Sequence, residues 1–91
     1  MKKILVVEDE ELIGDLLQRK LLQEGYYASV AKDGEEALKQ IREEKPDIIL
    51  LDIVLPRLNG FEVLAELKED EALRQIPVII ISNSGQPAEI E

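Results

Sequence analysis

The sequence predicts an α/β fold, a doubly wound parallel sheet in which strands and helices alternate. Short aliphatic runs at Ile4–Val7, Ile48–Leu51 and Val78–Ile81 have the length and unbroken apolar character of parallel strands buried on both faces. Between these runs, apolar residues recur at helical spacing. Strands and helices in this order form a parallel sheet covered by helices. We expect residues 1–91 to make one small domain.

The first three elements are a strand, a helix and a second strand. Lys3 to Val7 is the first predicted strand, and apolar residues between Leu12 and Leu22 then repeat as on one side of a helix. Gly25 is suited to end this helix, because glycine readily adopts the left-handed conformation that often follows a helical C-terminus. Tyr27 to Ala31 predicts a second strand, whose lower apolar content suits an edge of the sheet.

The second helix and the third strand follow directly. Asp33–Glu36 resembles a capping box, in which side chains of the first turn satisfy free backbone N–H groups. Pro46 ends this helix, because proline cannot continue the helical hydrogen bonds. Asp47 to Leu51 is the third predicted strand.

The remaining elements are a loop, a third helix and a fourth strand. Leu55–Gly60 contains proline, asparagine and glycine, which favour a loop, and we expect Asn59 to begin the third helix rather than to bind a ligand. Apolar residues from Phe61 to Leu67 indicate that helix. Pro77 to Ile81 is the fourth strand, and Pro87 is suited to the first position of a fourth helix.

The order of the strands decides which side chains meet. Right-handed crossovers and a strand order of 2-1-3-4 place the first and third strands side by side. Glu8 and Asp9 follow the first strand and Asp52 follows the third, and neighbouring strands are only about 4.8 Å apart. We therefore expect these three carboxylates to leave the core at the same edge and to form one pocket.

Three like charges in one pocket repel each other, so the arrangement favours a bound cation. A single acid after a strand is more often a helix cap, but Asp9 and Asp52 together indicate a site. Mg²⁺ suits one or two carboxylates combined with waters and phosphate oxygens. A carboxylate can also accept a phosphoryl group and form a mixed anhydride.

The composition excludes several kinds of function. The formal net charge is −9, which repels nucleic acid phosphates, so we expect no direct nucleic acid binding. The chain has no cysteine and no histidine, which excludes disulfides, thiolate chemistry and the usual zinc ligands. Its apolar stretches are too short for a signal peptide or a membrane span, so we expect no membrane association and a cytoplasmic location.

Four motifs, in order along the chain, resemble the receiver domain of two-component response regulators. They are Ile4–Asp9, Asp47–Asp52, Leu55-Pro56 with Asn59-Gly60, and Pro77–Ser82. The resemblance implies a flavodoxin-like fold and a role in phosphorelay signal transduction. It also implies a histidine kinase or a phosphotransfer protein as partner, and Mg²⁺ as cofactor.

The resemblance implies a role for each matching residue. Asp52 is the phosphoacceptor and Asp9 ligates Mg²⁺ directly. Glu8 holds the ion through water, in a position where many family members have aspartate. The backbone carbonyl of Val54 is a further ligand. Ser82 is the switch hydroxyl that bonds the phosphoryl group.

The resemblance covers only part of a receiver, which continues through a fourth helix, a fifth strand and a fifth helix. The fifth strand carries a lysine that pairs with the phosphoryl group. No lysine of this chain stands in that place, because Lys32, Lys39, Lys45 and Lys68 are predicted in helices or in loops remote from the site. We therefore expect a receiver that is incomplete at its C-terminus, lacks the fifth strand and fifth helix, and has no catalytic lysine.

The missing elements predict exposed apolar surface. The fourth strand, with its run Val78–Ile81, becomes an edge that can pair with another chain. Leu5, Val7 and Ile49, or their alternates on the other face, are expected to lose part of their cover. We therefore expect self-association through the fourth strand and the exposed sheet face.

Two other functions stay open at this point. One is a truncated or engineered receiver fragment that acts as a self-associating scaffold without phosphotransfer. The other is an aspartate-based phosphohydrolase, although such enzymes usually carry a second acid two residues after the nucleophile, where this chain has Val54. We expect no enzyme activity beyond self-catalysed phosphotransfer and dephosphorylation at Asp52.

Overall fold

The computed structural model describes residues 2–52 and 59–81. Four strands and three helices alternate along them: β1 (Lys3–Val7), α1 (Glu11–Gln23), β2 (Tyr27–Ala31), α2 (Gly34–Glu44), β3 (Ile48–Asp52), α3 (Gly60–Glu69) and β4 (Val78–Ile81). Within these residues, each helix is too short or too polar to cross a bilayer. The predicted fourth helix at Pro87 lies outside the described residues.

The sheet is parallel and has the strand order β2-β1-β3-β4, which confirms the predicted fold class and topology. Two strands begin one residue later than predicted. Asp47 donates its N–H to the carbonyl of Lys3, and the Pro77 carbonyl accepts the N–H of Ile49, so each makes one ladder bond just before its strand. Proline has no N–H with which to extend that pairing.

Helix α1 lies against β2 on one face of the sheet. A Cβ atom built on Gly14 would lie 3.2 Å from Val30 Cγ1, so glycine permits this close approach. Gln18 donates from Nε2 to the carbonyl of Ala28 at 2.9 Å. The neighbouring Tyr27 uses its own backbone to pair with β1, so the Ala28 carbonyl faces outward and Gln18 closes part of this sheet edge.

The ends of the helices follow local sequence signals. Asp33 Oδ1 accepts the N–H of Glu36 at 2.8 Å and so caps α2, which confirms one half of the predicted capping box. The other half differs, because Glu36 Oε1 accepts the N–H of Lys32 instead of that of Asp33. Asn59 begins α3 through a reciprocal capping box with Glu62, which confirms its expected role as a helix start. Helix α2 ends at Glu44, and Lys45, which follows it, has the left-handed φ of 48° directly before the proline that was expected to end the helix.

The core lies mainly between the sheet and the pair α2 and α3. Its buried members come from alternate strand positions, from those two helices and, for Leu73, from the turn after α3: Leu5, Val7, Ala31, Ala37, Leu38, Ile41, Ile49, Leu51, Val63, Leu67 and Leu73. Of the two alternatives predicted, loss of cover at Leu5, Val7 and Ile49 is therefore wrong, because α2 and α3 shield this face. On the opposite face Leu50 is half-buried and Ile79 is 52% exposed.

Candidate functional site

The candidate site lies where β1 and β3 end side by side. The register pairs Val7 with Leu51, so the next residues along the two strands, Glu8 and Asp52, come together. Asp9 follows Glu8 in the connection to α1. We call Glu8, Asp9 and Asp52 the acidic cluster.

The three carboxylates are close enough to share one ion. One oxygen from each residue lies within 4.8 Å of the others. Asp9 is exposed, whereas Glu8 is 1% exposed and Asp52 is 0% exposed. The expectation that the acids leave the core is therefore wrong for these two, because Asp52 is still the last residue of β3 and the Glu8 side chain lies beside it.

The surroundings of Glu8 penalise its negative charge. Burial raises the pKa of the Glu8 carboxyl to about 7, and the nearby charge and hydrogen bond of Asp52 act in the same direction. The backbone N–H of Glu10, which donates to Glu8 Oε1 at 3.1 Å, partly opposes this effect. In the absence of a cation, the acidic cluster is therefore an electrostatically unfavourable arrangement.

The donor set fits a small divalent cation. Mg²⁺ takes oxygen ligands at about 2.0–2.1 Å, so two ligands on opposite sides of the ion lie about 4.2 Å apart. The oxygens of the acidic cluster lie within 4.8 Å of one another, which is close to that distance. A small movement of a carboxylate, or a water between a carboxylate and the ion, would account for the remaining separation. Two buried carboxylates and an exposed one give the ion protein ligands on one side and access to solvent on the other.

Other predicted site residues have different outcomes. Val54, the expected carbonyl ligand, and Ser82, the expected switch hydroxyl, lie outside the described residues. The expectation that Lys32 is remote from the site is wrong: it follows β2, whose last carbonyl, that of Ala31, accepts the N–H of Glu8. The strand order carried that information, because β2 is the neighbour of β1.

Comparison with known families gives a consistent result. The chain matches the response regulator receiver domain over residues 4–91. It is 48% identical over 81 residues to the alkaline phosphatase synthesis transcriptional regulatory protein PhoP of Bacillus subtilis, covering 89% of this chain and 33% of that protein. It is 43% identical over 81 residues to the polar-differentiation response regulator DivK of Brucella anthropi, covering 89% of this chain and 66% of DivK.

Solved structures agree with these relatives. The N-terminal domain of a response regulator receiver protein from Methanoculleus marisnigri superimposes with a TM-score of 0.90 at 36% identity, covering 98% of this chain and 71% of that one. The phosphorylated cyanobacterial phytochrome response regulator RcpA gives a TM-score of 0.84 at 39% identity, covering 93% and 67%. The chain thus spans between one third and about two thirds of the length of these relatives, and it belongs to the response regulator receiver domain family.

Proposed function

We propose that this receiver domain accepts a phosphoryl group on Asp52, with Mg²⁺ held by Glu8, Asp9 and Asp52. The observation that carries the proposal is the meeting of two buried carboxylates and one exposed carboxylate at adjacent strand ends. The backbone carbonyl of Val54 as a further ligand and the hydroxyl of Ser82 as the switch group belong to the same proposal.

Phosphoryl transfer to Asp52 requires few chemical groups from the protein. A carboxylate oxygen of Asp52 forms a bond to phosphorus, the bond from phosphorus to the donor atom breaks, and the donor leaves with its electron pair. Phosphoryl transfer depends mainly on positioning and on neutralising charge. Mg²⁺, when bound, supplies that neutralisation. Asp52 is well placed because its backbone is held within β3, which pairs with strands on both sides.

The other two acids suit binding better than transfer. Glu8 is buried and its Oε1 already accepts the N–H of Glu10, which restricts the movement of its carboxyl group. Asp9 is exposed at the start of the connection to α1, where it can follow an ion as it enters. The resemblance to receiver domains implies Asp52 as the acceptor, and this arrangement of the other two acids is compatible with that role.

A histidine kinase or a phosphotransfer protein is the proposed donor. Leu12 and Leu16 are 78% and 66% exposed, and their spacing places them on the same side of α1, one turn apart. Leu12 lies three residues after Asp9 in the chain, in the first turns of the helix that follows it. Exposed apolar side chains beside a site favour contact with another protein, and Leu12→Ala with Leu16→Ala tests whether they bind the donor.

Self-association through β4 is a further part of the proposal. Within the described residues β4 is an edge strand, with Ile79 and Ile80 exposed by 52% and 42%. An uncharged apolar edge favours pairing with another chain. At the opposite edge, Gln18 already occupies the Ala28 carbonyl. Sedimentation of the wild type and Ile79→Lys at tens of micromolar tests this, and a wild type that stays monomeric contradicts it.

The proposal also covers the location of the protein and its binding to nucleic acid. We propose a cytoplasmic protein, since the proposed donor transfers its phosphoryl group there. We also propose that this part of the chain does not bind nucleic acid directly, because its net charge of −9 opposes contact with phosphates. A mobility-shift titration with duplex DNA at low salt tests the second point.

Incubation with acetyl phosphate and Mg²⁺ tests the phosphoacceptor proposal. The wild type should gain the mass of one phosphoryl group, and Asp52→Asn should not. Asp15→Asn, which makes the same change on the exposed surface of α1, is the matched control and should behave as wild type. An unchanged adduct on Asp52→Asn would assign the reaction to another residue.

A further inference from the structure

Lys32 lies at the same edge of the sheet as the acidic cluster. It directly follows Ala31, the last residue of β2, whose carbonyl accepts the N–H of Glu8 at 2.9 Å. Among the lysines in the described part of the chain, only Lys32 directly follows a strand. Its backbone N–H donates to Glu36 Oε1 at 2.7 Å.

The side chain of Lys32 extends from this point to the first turn of α1. Its Nζ lies 3.5 Å from Oε2 of Glu11, the first residue of α1. Glu8 and Asp9 belong to the connection between β1 and α1, so the lysine contacts the far end of the segment that carries two of the three carboxylates. Both members of the ion pair are exposed, so it adds little stability, and it shows one position that the ammonium group takes beside this segment.

We propose that Lys32 tunes the electrostatic potential of the acidic cluster, and that Glu11 holds its ammonium group at the side of the site. This inference rests on the proposed function of that cluster. β2 and β3 lie on either side of β1, so the strand that Lys32 follows and the strand that ends at Asp52 are about 9.6 Å apart. A lysine side chain is long enough to cross much of that distance, and here it is already directed to the β1–α1 side.

The proposal predicts opposite effects on a cation and on an anion. A positive charge beside the cluster weakens Mg²⁺ binding, and it favours approach of a negatively charged phosphoryl donor. Two unit charges about 10 Å apart, which is roughly two strand spacings, at an effective dielectric of about 40 to 80 change an equilibrium or a rate by about two- to four-fold. Lys32→Gln should therefore tighten Mg²⁺ binding and slow phosphorylation by acetyl phosphate at saturating Mg²⁺, each by about that factor.

Four variants of the whole chain separate this role from a structural one. Lys32→Arg keeps the charge and should restore both wild-type values. Lys39→Gln removes a lysine from α2, beside the same open cavity as Lys32, and is the matched control. Glu11→Gln should weaken Mg²⁺ binding. Part of this effect acts through Lys32, the partner of Glu11, so Glu11→Gln should weaken Mg²⁺ binding less when Lys32→Gln is also present.

The measurements are Mg²⁺ affinity by calorimetry and the rate of adduct formation by mass, at low salt and at high salt. The two effects of Lys32→Gln should fade together at high salt, where charges are screened. The proposal is overturned if Lys32→Gln equals Lys39→Gln, or if it weakens both binding and phosphorylation, which indicates structural damage. If the wild type forms no adduct, the proposed phosphoacceptor function is contradicted. The comparison of Mg²⁺ affinity between wild type and Lys32→Gln still tests the electrostatic role of Lys32.

Discussion

Replacing Glu8 by glutamine should remove most of the pH dependence of stability that the metal-free site creates. The folded protein raises the pKa of the Glu8 carboxyl from 4.5 to about 7, so the folded state binds this proton more tightly than the unfolded state does. The resulting stabilisation is fully present below pH 4.5. It is lost as the pH rises through about 7.

The size of this effect follows from the difference between the two pKa values. One pKa unit corresponds to about 1.4 kcal/mol, so the free energy of unfolding should fall by about 3 kcal/mol across this pH range. Glutamine carries no titrating proton at this position and keeps a similar shape. The stability of Glu8→Gln relative to wild type should therefore increase by about 2–3 kcal/mol between pH 5 and pH 8.

Urea unfolding at several pH values, in the presence of a chelator, measures this difference directly. Glu43→Gln makes the same change at an exposed position of α2 and is the matched control. Its stability relative to wild type should stay nearly constant over the same range. If wild type and Glu8→Gln show parallel pH profiles, the Glu8 carboxyl is not held in the unfavourable environment described above. Saturating Mg²⁺ should flatten the wild-type profile, because the ion favours the charged carboxylate.

Three further changes should alter stability in a stated direction. Asp52→Asn should raise the unfolding free energy by about 1 kcal/mol in chelator, because it removes one charge from the buried cluster, and thermal melting with and without Mg²⁺ checks this. Lys45→Gly should stabilise by up to about 1 kcal/mol, because φ at this position is 48° and glycine tolerates that value, and a loss of stability would show that no strain is relieved there. Asn59→Ala should destabilise by about 1 kcal/mol through the loss of the α3 capping box, whereas Asn59→Asp should retain most of the stability in the same urea titration.

The fold and the location of the site could be predicted because both depend on short-range patterns. Aliphatic runs identified β1, β3 and β4, whereas β2 was placed from its position between two predicted helices, and the alternation with helices required a parallel sheet. In such a sheet the C-terminal strand ends share an edge, so acids that follow two neighbouring strands must meet. The convergence of Glu8 and Asp52 was therefore contained in the order of the elements.

The remaining features depend on tertiary packing, which residue spacing does not encode. Glu8 and Asp52 are buried because the surrounding elements shield the ends of their strands. From the sequence alone, an acid at the end of an apolar run had indicated that the chain leaves the core at that residue. The cover of Leu5 depends on where α2 and α3 lie on the sheet. The place of the Lys32 ammonium group depends on the contact of its side chain with Glu11 in α1. An exposed ion pair of this kind leaves no periodic signal in the sequence.

A Mg²⁺ titration of four proteins tests the central claim most directly, namely that the acidic cluster is one cation site. Calorimetry at pH 8 and low salt should show one Mg²⁺ bound by the wild type and by the surface control Asp15→Asn. Asp9→Asn and Asp52→Asn should each lose most of that binding, because each removes a carboxylate oxygen from a set that lies within 4.8 Å. Wild-type affinity in both Asp9→Asn and Asp52→Asn would contradict the account.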